Sequence, residues 1–498
     1  MTEDVTTTSL PEQIRVRREK LERLRKEGID PYPVNFPRTA TIAEVREKHQ
    51  GLAPDTATGE RVGVTGRVML LRTSGKLCFA TIRDGTAAMQ IMLSLDRVGE
   101  EALARWKRDI DLGDHVGVEG EVVTSRRGEL SVMVDRWALT SKCLRPLPDK
   151  HKGLTDPEAR VRMRYVDLIV NDEARRMAYL RSETVRAVRD FWHEEGYLEV
   201  ETPMLQPIHG GAAARPFKTH INAYDMELYL RIAIELYLKR LVVGGIEKVF
   251  EINRNFRNEG ADATHNPEFT MLEAYGTYLD YHDMARLTQR MYQRAVVAAL
   301  GTTVVVHEGK EYDLGLEEWP RITLYGSVSE ALGEEITPDT PLETLRRYAD
   351  KREVPWDPKW GPGKLVQELF EALVEHTLVQ PTFVMDYPVE TSPLTRQHRE
   401  DPRLTEKWDL IGFGTELATA YSELIDPIEQ RRRLTEQSLL AAGGDPEAMQ
   451  LDEDFLRALE YGMPPTGGVG VGIDRMIMAF TGRNIRETIL FPLVKPVQ

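Results

Sequence analysis

Between Val249 and Tyr275 the chain reads VFEINRNFRNEGADATHNPEFTMLEAY, and no other stretch limits the possible folds as strongly. Phe250, Ile252 and Phe256 are apolar at even positions, with Arg254 the exception. Glu251, Asn253, Asn255 and Arg257 are polar at odd positions. A period of two predicts a strand with one buried face and one unusually polar face. NEGADATHNP then supplies a polar loop, and Phe269, Met271, Glu273 and Tyr275 share a face of the return strand. The hairpin would present an arginine, several carboxylates and a tyrosine. A solvated strand face with ordinary salt bridges is the plainer alternative. Solvated faces rarely carry such a run of Asn and Arg beside His and Pro.

A second segment, PPTGGVGVGIDRMIMAF (464–480), places Gly468, Gly470 and Gly472 on one strand face. A face without side chains lets a flat ring or a backbone lie against it, and close strand packing is the other reading. From Ile473 the pattern turns helical, so Asp474 and Arg475 sit at a strand-to-helix junction. No GxGxxG fingerprint with a downstream acid follows a first strand, and no GxxxxGK[ST] loop occurs.

Upstream, residues 61–140 carry five period-two segments: RVGVTGRVMLLRTSG, KLCFATIRD, AAMQIMLSL, DHVGVEGEVVTSRRG and ELSVMVDRWALTS. VGEEALARWKRDI, after the third, reads as a short helix. An apolar interior suits any small barrel, but five strands with a helix between the third and fourth is the order of an OB-fold. Residues 11–27 read as a helix, with Ser9 a possible N-cap, Pro11 near its start and Gly28 at its end. Seven cations between Glu12 and Lys26 surround a thin apolar stripe of Ile14, Leu21 and Leu24. That helix is either a solvated face or a nucleic-acid contact. RPLPDKHKGLTDPEARVRMR (145–164) reads as a linker. Glu173–Glu195 reads as a long amphipathic helix with Met177, Leu180, Thr184, Ala187, Val188, Phe191 and Trp192 on one side. YLEVETPML then reads as a short strand ending at Pro203.

The chain has 498 residues and a net charge of −15. That sum alone disfavours a nucleic-acid partner. The distribution does not: residues 1–152 hold 26 Lys+Arg against 23 Asp+Glu, and the remainder 39 against 57. Two cysteines without CxxC spacing exclude a disulfide framework and a Cys-based zinc site. No apolar run approaches a membrane span, and MTEDVTTTSLPEQ lacks a signal-peptide core, so the expectation is a cytoplasmic protein without membrane contact.

FRNEG…HNPEFTMLE resembles motif 2 of the class II aminoacyl-tRNA synthetases, GVGVGIDRMIMAF is similar to their motif 3, and 173–203 is similar to motif 1. GGAAARPF (210–217), YLRIAIELYLKRL (229–241), FEINRNFRNEG (250–260), YSELIDP (421–427) and IRETILFP (485–492) resemble bacterial-type lysyl-tRNA synthetases. The resemblance covers nearly the whole chain. It implies an α+β protein: a helical extension over 1–60, an OB-fold anticodon-binding β-barrel over 61–145 and a linker over 146–164. A class II synthetase catalytic domain with a central antiparallel sheet would fill 165–498. It also implies a homodimer through the motif 1 helix and strand.

The implied activity is a lysine–tRNA ligase acting on lysine, ATP and tRNA(Lys), with Mg2+ as cofactor. By the same resemblance, Arg257 and Arg475 are catalytic and bind ATP together with Glu259, His265 and Phe269, the last stacking on adenine. Gly211, Glu235, Glu273, Tyr275, Thr419, Tyr421 and Glu423 would hold lysine, and Asp409 and Glu416 the metal. The glycines before Arg475 would make room for the nucleotide. On the barrel, Phe79 would stack on an anticodon base, with Arg67, Gln90 and Glu129 supplying polar readout. Phe79 as plain core is the competing reading. Two departures from the family pattern stand out. Asp409 stands where relatives carry Glu, and ATAYSEL replaces GNGFSEL. The runners-up are aspartyl and asparaginyl enzymes of the same architecture, a protein-modifying lysine ligase and a non-catalytic single-strand binder. The OB unit argues against the modifying ligase, and the contexts of Arg257 and Arg475 argue against the binder. Residues 335–400 carry no assignable chemistry.

Overall fold

The computed structural model describes residues 11–148, 154–442 and 448–496. Backbone contacts divide the chain into two units, Met1–Thr155 and Asp156–Gln498. The first unit opens with α1 (Glu12–Lys26) and α2 (Ile42–Lys48). Strands β1 (Ala57–Ser74), β2 (Leu77–Arg83) and β3 (Ala88–Ser94) follow, then α3 (Leu95–Val98) and α4 (Glu100–Asp109), then β4 (His115–Thr124) and β5 (Leu130–Ser141). The five strands close into a barrel in the order β1-β2-β3-β5-β4, with the helices between the third and fourth strands as expected.

The period-two pattern decides what fills the barrel. Val64, Val68, Cys78, Ala80, Ile82, Ile91, Val118, Val132 and Val134 point inward and are buried. Helix α1 is neither a bare solvated rod nor wholly available to a ligand. Ile14, Leu21, Leu24 and Arg17 are buried, and the Arg17 guanidinium donates to the carbonyls of Leu112 (3.0 Å) and Cys143 (2.9 Å). Lys20 pairs with Asp111 at 2.7 Å and Arg23 with Asp109 at 2.6 Å. Several of its cations therefore hold the helix on its own unit. Pro11 occupies the N-cap position, and Ser9 lies outside the described residues.

In the second unit, α5 (Pro157–Arg162) and α6 (Arg164–Val170) come first. The C-terminal half of the expected linker is thus helical, capped by the Asp156 side chain on the Ala159 amide. Residues 149–153 lie outside the described residues. Next come α7 (Asp172–Glu194), β6 (Leu198–Glu199), β7 (Leu205–Gln206), β8 (Phe217–Ile221), β9 (Met226–Leu230) and α8 (Glu235–Val243). The strand expected over YLEVETPML is only two residues long in the sheet, where Leu198 and Glu199 pair parallel with the next strand. Pro203, which lacks an amide donor, lies beyond it.

The hairpin β10 (Lys248–Phe256) and β11 (Glu268–Thr277) follows, with α9 (Tyr281–Leu300), β12 (Val304–His307), β13 (Lys310–Asp313) and β14 (Arg321–Thr323). Residues 324–388 form α10 (Leu324–Leu332), α11 (Leu342–Lys351), α12 (Pro362–Leu373) and β15 (Thr382–Pro388), with a core of their own around Leu365, Leu369 and Phe370. The chain closes with β16 (Leu404–Gly412), β17 (Thr415–Ser422), α13 (Pro427–Ala442), α14 (Glu453–Glu460), β18 (Thr466–Gly472), α15 (Ile473–Thr481) and α16 (Ile485–Thr488).

An eight-stranded sheet in the order β14-β15-β16-β17-β18-β11-β10-β6 organises this unit. It is antiparallel except for the edge pairs β14–β15 and β10–β6. Alternation splits its two faces. Leu272, Ala274, Ala418, Ala420, Val469 and Val471 pack against α7, α9 and α15 through Trp192, Met291, Tyr292 and Ile477. The intervening residues, Glu273, Tyr275, Thr419, Tyr421, Gly468 and Gly470, face a cavity. The polar side of β10 is not solvated either. Glu251 and Asn255 are buried, and Glu251 accepts from Arg231 (2.9 Å) and the Thr202 hydroxyl (2.7 Å). A buried charge needs such a partner, which is why the strand tolerates Glu251 directly across from Glu273.

Candidate active site

The cavity measures about 420 Å³ and lies on the β11–β18–β17 face of the sheet. Register builds it. Gly468 of β18 stands between Tyr275 and Tyr421, and Gly470 between Glu273 and Thr419. A Cβ on Gly468 would lie 2.0 Å from Glu423 Oε1 and 2.5 Å from Tyr275 Cε1, whereas one on Gly470 would meet nothing closer than 3.4 Å. Gly468 therefore makes room for the protein's own Glu423 and Tyr275. Every second-unit site residue singled out from sequence lines this cavity.

One end is acidic. The Tyr275 hydroxyl donates to Glu273 Oε2 at 2.9 Å, and the Ile234 amide donates to Glu273 Oε1 at 3.3 Å. Burial, with Glu235 beside it, raises the Glu273 carboxyl to about 8. Burial also raises Glu235 and Glu423. The Glu423 side chain is fully enclosed, and its Oε1 has no hydrogen-bond partner among the described residues. A buried unpaired carboxylate oxygen at a cavity wall is a cation acceptor awaiting its ligand. Gly211 packs its Cα over this end, where a Cβ would lie 3.0 Å from Ala233 Cβ and 3.2 Å from Glu235 Cβ. Tyr421 and Thr419 form the facing wall, where the Thr419 hydroxyl donates to the Trp408 carbonyl at 3.4 Å. Sequence reading missed Lys239. It is fully buried, 2.6 Å from Glu235 Oε1, and in contact with Glu423 Oε2. Its only signal was the i,i+4 spacing in ELYLK, which reads equally as a surface pair.

The other end is cationic. The Arg257 guanidinium lies 5.1 Å from the centre of the Phe269 ring, and its Nε is enclosed without a hydrogen-bond partner among the described residues. Burial lowers its pKa, opposed by Glu259 and Glu416, and it stays charged at neutral pH. Arg475 donates to the Glu416 carbonyl at 2.9 Å. Asp474 anchors the junction by accepting from the Thr270 amide (2.7 Å) and Arg181 (2.6 Å). Glu259 and His265 lie in the exposed loop between β10 and β11. Glu259 accepts from the Arg215 amide at 3.3 Å. His265 is held in a turn by Asp262, which accepts its amide at 2.8 Å.

Asp409 and Glu416 sit on β16 and β17, joined by a tight turn at Phe413 and Gly414, both with positive φ (55° and 73°). Such two-residue turns suit the twist of antiparallel strands. Asp409 Oδ2 lies 3.1 Å from Lys407 Nζ, while Oδ1 is buried without a hydrogen-bond partner among the described residues. Burial, then Asp409, raises Glu416. Among the described residues no group of three or more His, Cys, Asp or Glu side chains converges as a metal cage. Two oxygen donors with one orphaned oxygen fit a hard cation that takes its other ligands from phosphate and water. Lys407 is a second residue missed from sequence, with its ammonium 4.1 Å from the Tyr387 ring centre. Lys407, Gly211 and Tyr421 also line an adjoining cavity of about 1210 Å³. Trp360 and Glu390 line it as well, so the stretch without assigned chemistry borders the site.

On the barrel, Phe79 alternates with the buried Cys78 and Ala80 and is half-buried, so it faces away from the interior. This favours an accessible ring over plain core. The neighbouring Gln90 donates to the Ser131 hydroxyl at 2.9 Å. Arg67 donates to the Gly113 carbonyl at 2.9 Å, and Glu129 is exposed at the start of β5.

Residues 156–495 match the family described as tRNA synthetases class II (D, K and N), and residues 62–140 match the OB-fold nucleic acid binding domain. The chain is 58% identical to a lysine–tRNA ligase of Mycolicibacterium gilvum, over 99% of both chains. It is also 58% identical to one of Kineococcus radiotolerans, over 98% of both. A lysylphosphatidylglycerol biosynthesis bifunctional protein of Gordonia bronchialis is 54% identical over 98% of this chain but only 42% of its own length. With two family matches, near-full-length relatives and a cavity lined by the motif residues, the chain belongs to the class II tRNA synthetases.

Proposed function

We propose that this chain is a lysine–tRNA ligase that activates L-lysine with ATP and transfers the lysyl group to the 3′ end of tRNA(Lys). The observation that carries the reading is the polarity of one cavity. Three buried carboxylates with an unpartnered oxygen lie at one end, and two arginines lie at the other. A ligand with two ammonium groups and a carboxylate matches that gradient.

In this reading Glu235 takes the α-ammonium of lysine and Glu423 with Tyr275 the side-chain ammonium. Arg257 then meets the lysine carboxylate and the α-phosphate of ATP together. The carboxylate oxygen attacks the α-phosphorus in line, a C–O–P anhydride forms and the α–β P–O bond breaks to release pyrophosphate. Arg257 and Arg475 orient the phosphates and oppose their charge, and Phe269 stacks on the adenine. Asp409 and Glu416 would hold Mg2+, which supplies positive charge at the phosphates. The tRNA 3′-terminal ribose hydroxyl then attacks the lysyl carbonyl carbon, an ester forms, and the acyl C–O bond to the phosphate breaks to release AMP. Exposed Leu198 and Leu205 beyond α7 support a homodimer through that helix and strand. The compartment such a reaction implies is the cytoplasm.

ATP–pyrophosphate exchange, run with each amino acid separately, should respond to lysine. A stronger response to aspartate or asparagine would overturn the reading. A second measurement tests the barrel. Phe79→Ala should lower tRNA charging about tenfold or more, the value of one base stack, while lysine-dependent exchange stays within about twofold. Equal loss of both would assign Phe79 to folding.

A further inference from the structure

Lys239 is a fully buried lysine in a pocket that already needs cations from its ligand. It rises from α8 one turn after Glu235, lies 2.6 Å from Glu235 Oε1 and touches Glu423 Oε2. Glu235 and Glu423 line the cavity; Lys239 does not. Its ammonium therefore sits behind the carboxylates rather than in the ligand's place. We propose that Lys239 is a resident counter-ion that sets the charge of the amino-acid pocket and so positions its carboxylates for a ligand with two ammonium groups. The inference rests on the lysine-activating reading above.

The charge balance is specific. Glu235 from α8, Glu273 from β11 and Glu423 beyond β17 are the acids of this end, with the neutral Tyr275 hydroxyl on Glu273. Glu251 of β10, the next acid outward, is already neutralised by Arg231 at 2.9 Å. Three carboxylates against one lysine leave two negative charges, which two ligand ammonium groups cancel. Without Lys239 the balance would be three against two, and a buried carboxyl left over takes a proton. Burial would by itself depress the Lys239 ammonium, but Glu235 and Glu423 together hold its pKa above the ordinary value. It thus stays charged across the working range. The carboxyl pKa values rise as well, which for an acid favours the neutral form: Glu273 is raised to about 8 by burial and Glu235. Lysine binding must expel such protons, so affinity rises with pH until the acids are ionised.

The test uses the full chain with lysine as the probe, in wild type, Lys239→Met and Lys239→Arg. Lysine-dependent exchange should show the lysine KM of Lys239→Met raised about tenfold or more at pH 7, with ATP KM within about threefold. The acidic limb of its kcat/KM profile for lysine should move up by about one pH unit. Lys239→Arg, which keeps the charge, should recover most of the limb. An unmoved limb in Lys239→Met, or equal losses for lysine and ATP, would overturn the proposal. Should neither variant fold, calorimetry of wild type in two buffers of different ionisation enthalpy decides. The resident charge keeps one acid ionised, so lysine should release no more than about two protons at pH 7. Release of three would overturn the proposal. Absence of any lysine response in wild type would instead refute the function itself.

Discussion

Arg257→Ala is expected to lower lysine-dependent ATP–pyrophosphate exchange by about 10³-fold, the scale of losing one preorganised charge at a reacting centre. Among the described residues, the other cations lining the cavity are already engaged. Arg475 is turned onto the Glu416 carbonyl, and Lys407 onto Asp409 and the Tyr387 ring. The loss should fall on the chemistry and not on the fold. The Arg257 Nε makes no hydrogen bond among the described residues, and its guanidinium faces the Phe269 ring, so few native contacts depend on it. Unfolding temperature should therefore move by only a few degrees, about what 1 kcal/mol produces in a chain of this size. Arg257→Lys separates charge from shape. It keeps the cation but loses the planar fork that spans a carboxylate and a phosphate, so an intermediate loss of about 10–100-fold is expected. Exchange within tenfold of wild type for Arg257→Ala would remove Arg257 from the reacting centre.

The fold was legible where periodicity carries it. Alternation in β1 to β5 gave the barrel because one side of each strand must be apolar to fill it. The pattern FTMLEAY showed which side of β11 carries Glu273 and Tyr275, because side chains alternate strictly. Length was harder. YLEVETPML has the composition of one strand, yet Leu198 and Glu199 pair with β10 while Leu205 pairs with β9 in a different sheet, and pairing is a tertiary property. Polarity alone did not give burial. Glu251 and Asn255 marked the polar face of β10, and they lie buried because Arg231 from a distant segment neutralises Glu251. Lys239 was missed for the same reason. A buried ion pair and an exposed one share one sequence signature, and only the fold brings the third partner, Glu423, into contact.

Gly468→Ala is expected to raise the lysine KM by about 100-fold or more while leaving ATP KM within about threefold, the cost of displacing a buried charged contact. The new methyl carbon would lie 2.0 Å from Glu423 Oε1 and 2.5 Å from the Tyr275 ring, so both must move. Glu423 has nowhere to go, because its side chain is fully enclosed with Lys239 against its other oxygen. Tyr275 cannot retreat without breaking its 2.9 Å hydrogen bond to Glu273. One methyl group thus disturbs the whole acidic end. The three closest atoms to that Cβ belong to Glu423 and Tyr275, so the disturbance falls first on the acidic end and not on Arg257 or Arg475. Gly470→Ala, two residues along the same strand, is the matched control for stability. Its Cβ meets only ordinary contacts at 3.4 to 3.8 Å, so its unfolding temperature should stay near wild type. Gly468→Ala should unfold several degrees earlier, as overpacking of about 1–3 kcal/mol predicts. A lysine KM unchanged by Gly468→Ala would mean that Glu423 does not hold the substrate where Gly468 leaves room for it.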